Sequence, residues 1–505
     1  MKSKPEILSS TVDVVINLGE PILSGSGEIT EGVGTQHSPS PPSYESLSSR
    51  IEDLICPKPN EQQLLLESAG KGSCCIFRVP ESFAELNAKA YHPKVVSIGP
   101  YHYGEKHLQM IQYHKCRFLK LFLNKARENG MEEDVLSKAV MDLEDIIRIS
   151  YSEELSISSD ILMSMMILDG CFILMLLLIV SKFLDVSNID FYEKEDPVFT
   201  IPWILPSIRS DLLLLENQVP FFLLRILLEK SKIGVSGDLN RMAFSFFNYS
   251  IDKPERYWEK HRNLEAKHLL DLIRFTLIPD MRSTGESENF QLYKSESGKI
   301  ASSDFTSQLI LSAKRLRLQG IKFRLRSDAD SILDIKLKKN RLQIPLLQLD
   351  GFISSVFVNC VAFEQFHAQS TNHITSYVAF MSCLLNSEED ADFLSNNKRI
   401  IANYFGSEDE VSQFFKLICK DVVFDVSRSY LRNVFEGLNE YASKWYNGVW
   451  AGFRHTHFES PWTCLSSCAV IFVILLTMLQ ATVAILSFLN DKKDNGNAAP
   501  PSGFR

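Results

Sequence analysis

Four histidines fall within 23 residues, His92, His102, His107 and His114, with Glu105 among them. Imidazole and carboxylate are the side chains that bind divalent metal ions and move protons near neutral pH. These spacings match none of the usual metal-ligand sets, and the Tyr91-His92 and Tyr101-His102 pairs are of the kind that pack in turns. The expectation is therefore packing or surface histidines, with no metal and no other cofactor. Other catalytic signatures fail more plainly. Gly70-Lys71-Gly72-Ser73 lacks the leading glycine of a phosphate loop, and no GxSxG, HExxH or DFG set occurs. Gly25-Ser26-Gly27 has no preceding strand to present it. No catalytic residue can be assigned from motifs.

Longer strings are more informative. Ile76-Phe77-Arg78-Val79-Pro80 is followed by the run Ala90 to His102, which contains Tyr91, Pro93, Gly99, Pro100 and His102. Then come Leu168-Asp169-Gly170-Cys171-Phe172 and the run Asp211 to Phe222, which contains Glu216-Asn217-Gln218 and Pro220. His268 to Leu272, Ile344-Pro345, Asn359 to Gln365 with Glu364, and Pro461-Trp462 complete the series. Most of this reads as structure. The leucines from Leu212 to Leu215 are expected in a core. Pro220 suits the first turn of a following helix, with Asn217 or Gln218 capping its amides. A buried Glu216 needs a partner, for which Arg78 or Lys94 is available. Ser97-Ile98-Gly99-Pro100 reads as a turn after a short strand.

In this order, the strings resemble the plant-specific family built on domain of unknown function 247, over about Ile76 to Leu489. The resemblance implies a plant protein with a large, mostly helical domain and a C-terminal membrane span. It also implies that Ile161 to Phe183 lies inside that domain. Some family members in grasses are associated with pollen–stigma self-incompatibility, which implies recognition or signalling rather than metabolism and suggests the plasma membrane. The family offers no established biochemical activity to carry over.

Composition agrees with a globular body. Hydrophobic residues are 45% and charged residues 23% of the 505, and the formal net charge is -9. That balance argues against a nucleic-acid partner. The densest basic run, Lys336 to Arg341, reads as a solvated strand or turn. Ten scattered cysteines without paired CxxC spacing read as reduced thiols, and Asn248-Tyr249-Ser250 is the single N-x-S/T sequon. Residues 1–50 are rich in Ser, Pro and Gly and are expected to be disordered, with no signal peptide.

The elements that must position these strings are mainly helical. Leu108 to Leu123 has helical spacing through Leu108, Ile111, Cys116, Phe118 and Leu119. Ser387 to Leu394 and Ser407 to Ile418 read as capped helices, the second with Glu410 three residues after Ser407. Gly320 to Leu349 alternates apolar and charged residues, the pattern of half-buried antiparallel strands. The predicted fold is mainly α with a small antiparallel β element. Residues 51–461 form one large helical domain, 465–489 a transmembrane helix and 490–505 a short polar tail.

Two runs are long and apolar enough to cross a bilayer. Leu465 to Leu489 carries no charge over 25 residues. As a helix it is about 37 Å long, against a hydrocarbon core of ~30 Å. Thr477, Gln480, Ala484 and Ser487 share one face, the pattern through which membrane helices associate, so a homodimer is one option. The other run, Ile161 to Phe183, has Asp169 near its middle and reads as the central helix of the body. Lys492, Lys493 and Arg505 against Arg454 place the tail in the cytoplasm by loop charge. Exporting so long a body without a signal peptide argues for the reverse, a cytosolic body. The sequence thus points to a single-pass membrane protein that interacts or signals through a protein partner. The alternative is a membrane-surface enzyme of a class its motifs do not reveal.

Overall fold

The computed structural model of the chain describes residues 73–84, 88–181, 196–234, 238–251, 258–259, 261–279, 310–404, 406–443 and 461–495. The expected Ser/Pro-rich tail, Asn87, His455, His457 and the residues after Asn495 lie outside them.

The body is mainly helical. Helices α1 (Gln112–Glu128) and α2 (Ser159–Val180) pack side by side, and α3 (Phe221–Lys230) and α4 (Leu239–Ile251) also pack on α2. α2 is apolar all round, as a helix covered by neighbours on every side must be. Its most apolar stretch is 78% buried. This is the central helix expected from Ile161 to Phe183, and Asp169 and Gly170 lie in its middle. Gly170 lets α3 pack close, because an added Cβ would sit 2.4 Å from Leu227 Cδ1 of α3 and that side chain would have to move. In α1 the buried set is Lys115, Phe118, Phe122 and Ala126, whereas Cys116 is exposed. The helical spacing was right, but a charged residue takes a place in the core.

A second group of elements follows α5 (Leu269–Leu277). The strands β1 (Lys322–Arg326), β2 (Lys336–Lys338) and β3 (Arg341–Pro345) form a sheet in the order β1-β3-β2. The β2–β3 pair is antiparallel and turns through Lys339-Asn340, with Lys339 at φ +57°. β3 then lies in the middle and runs parallel to β1. β4 (Leu347–Leu349) pairs parallel with β5 (Ile401–Asn403). The β element is therefore mixed rather than purely antiparallel. Alternation of residues shows which face is buried but does not fix which strand is neighbour to which. The basic run Lys336 to Arg341 forms the β2–β3 hairpin.

Helices α6 (Gly351–Phe366), α7 (His373–Leu384), α8 (Glu408–Ile418) and α9 (Arg432–Ser443) complete the body. Ser407 caps α8 by accepting from the Glu410 amide at 3.3 Å. Ser387 likewise caps a short helix, Glu388–Asp392, at the Asp390 amide. One connected apolar core runs from Cys74 to Leu438. The described cysteines are free thiols.

The last element, α10 (Pro461–Asn495), extends beyond the expected 465–489 at both ends. Proline at its first position leaves no helical hydrogen bond unmade. The charged residues after Leu489 simply continue its ladder. Its stretch Cys468–Leu489 is long and apolar enough to cross a membrane, and none of it is buried.

Candidate functional site

The strings around Arg78, Gly99, Asp169 and Glu216 converge on one buried polar hub. Residues Lys94 to Gly99 do not lie in a named strand, contrary to the short strand expected before the turn. Their amides are taken by side chains instead. Lys94, Val95 and Val96 donate to the Asp211 carboxylate at 3.0, 2.7 and 3.0 Å. Ile98 N–H donates to Asn217 Oδ1 at 2.6 Å, and Gly99 N–H to Asp169 Oδ2 at 2.8 Å. Burial pushes the Asp211 carboxyl up, and the amides pull it back.

Asp169, fully inside the fold, also takes Lys115 Nζ at 2.5 Å. Lys115 donates in addition to the Ser97 carbonyl. Burial raises the Asp169 carboxyl, opposed first by Lys115 and then by the Gly99 amide. A lysine of α1, an aspartate of α2 and an irregular segment are thereby tied together.

Gly99 has φ +73°, and a Cβ there would stand 2.6 Å from the Gln218 carbonyl oxygen and 3.0 Å from the Tyr151 hydroxyl. The left-handed backbone and the overlap act together in Gly99→Ala. The expected loss is about 2–4 kcal/mol, read by denaturant unfolding.

Asn217 and Gln218 do not cap α3, which begins at Phe221 with Pro220 just before it. Asn217 Nδ2 donates to the Val96 and Asp211 carbonyls, and Gln218 Nε2 to those of Leu212 and Leu214. The local cap was the wrong expectation because the turn Asp211 to Pro220 leaves its own carbonyls nearer. Pro80 and Pro100 likewise start turns, their carbonyls accepting from Phe83 at 2.9 Å and Tyr103 at 3.3 Å.

Glu216 finds the Arg78 partner anticipated from the sequence, at 3.7 Å, whereas Lys94 sends its amide to Asp211. Glu216 Oε1 accepts from Val79 N–H at 2.7 Å. Arg78 lies over the Tyr101 ring at 4.5 Å and pairs with Glu153 at 3.0 Å. Glu216 also faces His102, whose Nε2 is 3.2 Å from Oε2. The other nitrogen of His102, Nδ1, is 2.7 Å from Glu105 Oε1. His92 packs edge-on against His102 with ring centroids 5.2 Å apart. His107 reaches Glu105 Oε2 at 3.5 Å and the Pro93 carbonyl at 3.2 Å. His114 is elsewhere, bonded to Arg117 at 3.0 Å. Of the four histidines, then, three cluster about Glu105. Tyr91, also near Glu216, has its hydroxyl pushed up by burial and by that carboxylate.

A second hub lies between α5, α6 and α7. Arg274 binds Asp271 Oδ1 at 3.0 Å and Glu364 Oε1 at 3.2 Å. Glu364 also accepts from Ile374 and Thr375 N–H and the Thr375 hydroxyl. Burial raises its carboxyl, opposed first by Arg274. His268 caps α5 by accepting from Asp271 N–H at 3.2 Å at Nδ1, so Nε2 carries the proton toward the Cys75 carbonyl at 3.0 Å. Sequence reasoning selected Glu364 but missed Arg274. A lone cation in an apolar helix gives no signal until its carboxylate partner is known.

Burial lowers both His268 and His373 to about 4. Their folded values lie below the ordinary ~6.5 of an unfolded chain. Between those values the unfolded state binds the proton and the native state does not, so their contribution to stability falls as pH drops from about 6.5 to 4. The raised carboxyls Asp169, Asp211 and Glu364 act in the opposite sense. His373→Phe should lower the proton uptake on unfolding near pH 5 by about one, measured by denaturant unfolding across that range.

The structure thus defines a class: a mainly helical protein with two buried ionic hubs and a separate exposed apolar helix. Residues 76–476 match the model of DUF247, described as plant protein of unknown function. The chain belongs to this family. It is 66% identical over 459 residues to UPF0481 protein At3g47200 of Arabidopsis thaliana, covering 90% of this chain and 95% of that protein. Putative UPF0481 protein At3g02645 of the same plant is 20% identical, over 82% of this chain and 90% of its own. No solved structure matches the chain.

Proposed function

We propose that this is a single-pass membrane protein that works by recognition, its helical body binding a protein partner at the cytosolic face of the plasma membrane. The observation that carries the reading is the contrast between the two apolar helices. The stretch in α2 is 78% buried by its own protein, whereas among the described residues nothing buries any of Cys468–Leu489. Twenty-two residues of bare apolar helix are stable in lipid and costly in water. The Asp169, Asp211 and Glu364 carboxylates are spent on backbone amides and buried cations, which favours a binding body over a catalytic one. Alkaline carbonate extraction of plant membranes tests the anchor. The full chain should stay in the pellet, and release into the supernatant would sink the reading.

The helix face with Thr477 and Gln480 supports a homodimer within the membrane. Thr477 turns its hydroxyl back to the Val473 and Ile474 carbonyls, at 3.0 and 2.8 Å, so Gln480 is the side chain with an amide to offer a second helix. Gln480→Leu should weaken self-association of the chain in bilayers by about 1 kcal/mol, read by energy transfer between labelled copies. Unchanged transfer would leave the chain without this dimer.

A further inference from the structure

Both ring nitrogens of His102 face carboxylates, Nδ1 toward Glu105 at 2.7 Å and Nε2 toward Glu216 at 3.2 Å. The ring is 1% exposed, and Nε2 is buried with no aligned hydrogen bond. A neutral imidazole has one N–H and would turn a lone pair toward one of the two carboxylates, a conflict that a second proton or a cation relieves. A cation at Nδ1 removes that conflict. It accepts the Nδ1 lone pair, offsets the charge of Glu105, and leaves Nε2–H to donate to Glu216.

The surroundings have the composition such a cation needs. His92, His102 and Glu105 each bring one ligand atom within 4.8 Å of the others. Around a tetrahedral zinc with bonds of ~2.1 Å, ligand atoms lie roughly 3.4 Å apart. Glu105 Oε1, now 2.7 Å from His102 Nδ1, must draw back by about 0.7 Å and His92 must close in, and as partly exposed and exposed side chains both have rotamer freedom for it. The buried member is the one already fixed. Metal-bound histidines characteristically donate their second N–H to a carboxylate that orients the ring. Glu216 stands 3.2 Å from Nε2, within reach of that role once the ring tilts, and is itself held by Val79 N–H and Arg78.

We infer that His92, His102 and Glu105 form a binding site for a divalent transition-metal ion, zinc in particular. Two imidazoles and one carboxylate are borderline ligands that suit zinc better than calcium or magnesium. Three protein ligands leave a fourth position for water on the exposed side of His92. The ion joins the Tyr91-His92-Pro93 segment to the turn Pro100 to Glu105, and so reinforces the rim of the Glu216 hub. The spacing of these residues concealed the site, since it depends on a turn that folds His102 and Glu105 back beside His92.

The test uses the full chain in detergent, stripped with chelator and titrated with Zn²⁺ by calorimetry and with Co²⁺ by visible absorption. Binding of about one ion per chain is expected, with tetrahedral cobalt bands and a higher unfolding temperature on zinc addition. His92→Ala and Glu105→Gln should each weaken binding by about tenfold or more and abolish the cobalt bands. His114→Ala should leave all three readouts intact. Circular dichroism establishes that each variant is folded, and His92, being exposed, is the substitution least able to disturb the core. A folded chain that binds no zinc overturns the inference and leaves a metal-free Glu105–His102–Glu216 ion-pair chain. Binding that is equally tight in His92→Ala and Glu105→Gln also overturns it, because the ion then sits elsewhere.

Discussion

Removing Pro461 to Arg505 is expected to move the protein from the membrane pellet to the supernatant almost completely, as a folded body. The stretch Cys468–Leu489 contains thirteen Leu, Ile, Val and Phe residues. At roughly 0.3–0.6 kcal/mol each they favour insertion by about 4–8 kcal/mol, before the modest cost of Gln480 and the threonines. The helix α2 is as apolar by composition, but its side chains already serve another purpose. Phe172, Leu174, Leu176 and Leu177 are fully or almost fully buried against neighbouring helices. Inserting α2 would dismantle the core and strip Lys115 from Asp169 in the middle of the helix. Solubility of the truncated chain, checked by flotation and by circular dichroism, separates the two helices. A truncated chain that remains resistant to carbonate would mean that α2 is in the bilayer.

Lys115→Met should cost about 3–5 kcal/mol of stability, among the largest effects of any single substitution in the body. Methionine replaces the aliphatic stem almost isosterically, so packing is largely retained. What is lost is the ammonium that faces Asp169 at 2.5 Å inside the core. Asp169 must then remain as an unpaired buried charge or take up a proton, and the Ser97 carbonyl loses its donor. Denaturant unfolding reads the loss. The double variant Lys115→Met with Asp169→Asn removes both charges and keeps an acceptor for Gly99 N–H, and it should recover about half of the deficit. No recovery would mean that the unpaired charge of Asp169 is not the source of the loss, which would then lie with the Ser97 carbonyl left without its donor.

The sequence showed the helices and the apolar runs because both are patterns along the chain. The amphipathic α8 with its Ser407 cap, the buried α2 and the exposed α10 all follow from local spacing and composition. Glu216 was marked as a buried acid in need of a partner, and Arg78 was named for it. The bonds of Asp211, Asn217 and Asn359 were not legible. Asn359 Oδ1 accepts from Leu215 N–H, 144 residues away, and no local rule connects them. The same holds for the parallel pairing of β1 with β3, which depends on where the β2–β3 hairpin turns. His92, His102 and Glu105 were visible as residue types, but their convergence depends on the turn between Pro100 and Glu105. Sequence patterns thus located the carriers of the hub, and long-range side-chain to backbone bonds made it one object.

The proposed function depends most on one crossing of the membrane, at α10, with the body on the cytosolic side. Protease protection of sealed plant membrane vesicles, with one tag at Met1 and another at Arg505, addresses it directly. The N-terminal tag should be digested from the cytosolic side while the C-terminal tag is protected. If both tags are digested together, α2 crosses as well and the body with α2 at its centre is not the membrane form. If the N-terminal tag is protected and the C-terminal tag digested, the body faces away from the cytosol, and the proposed orientation is contradicted.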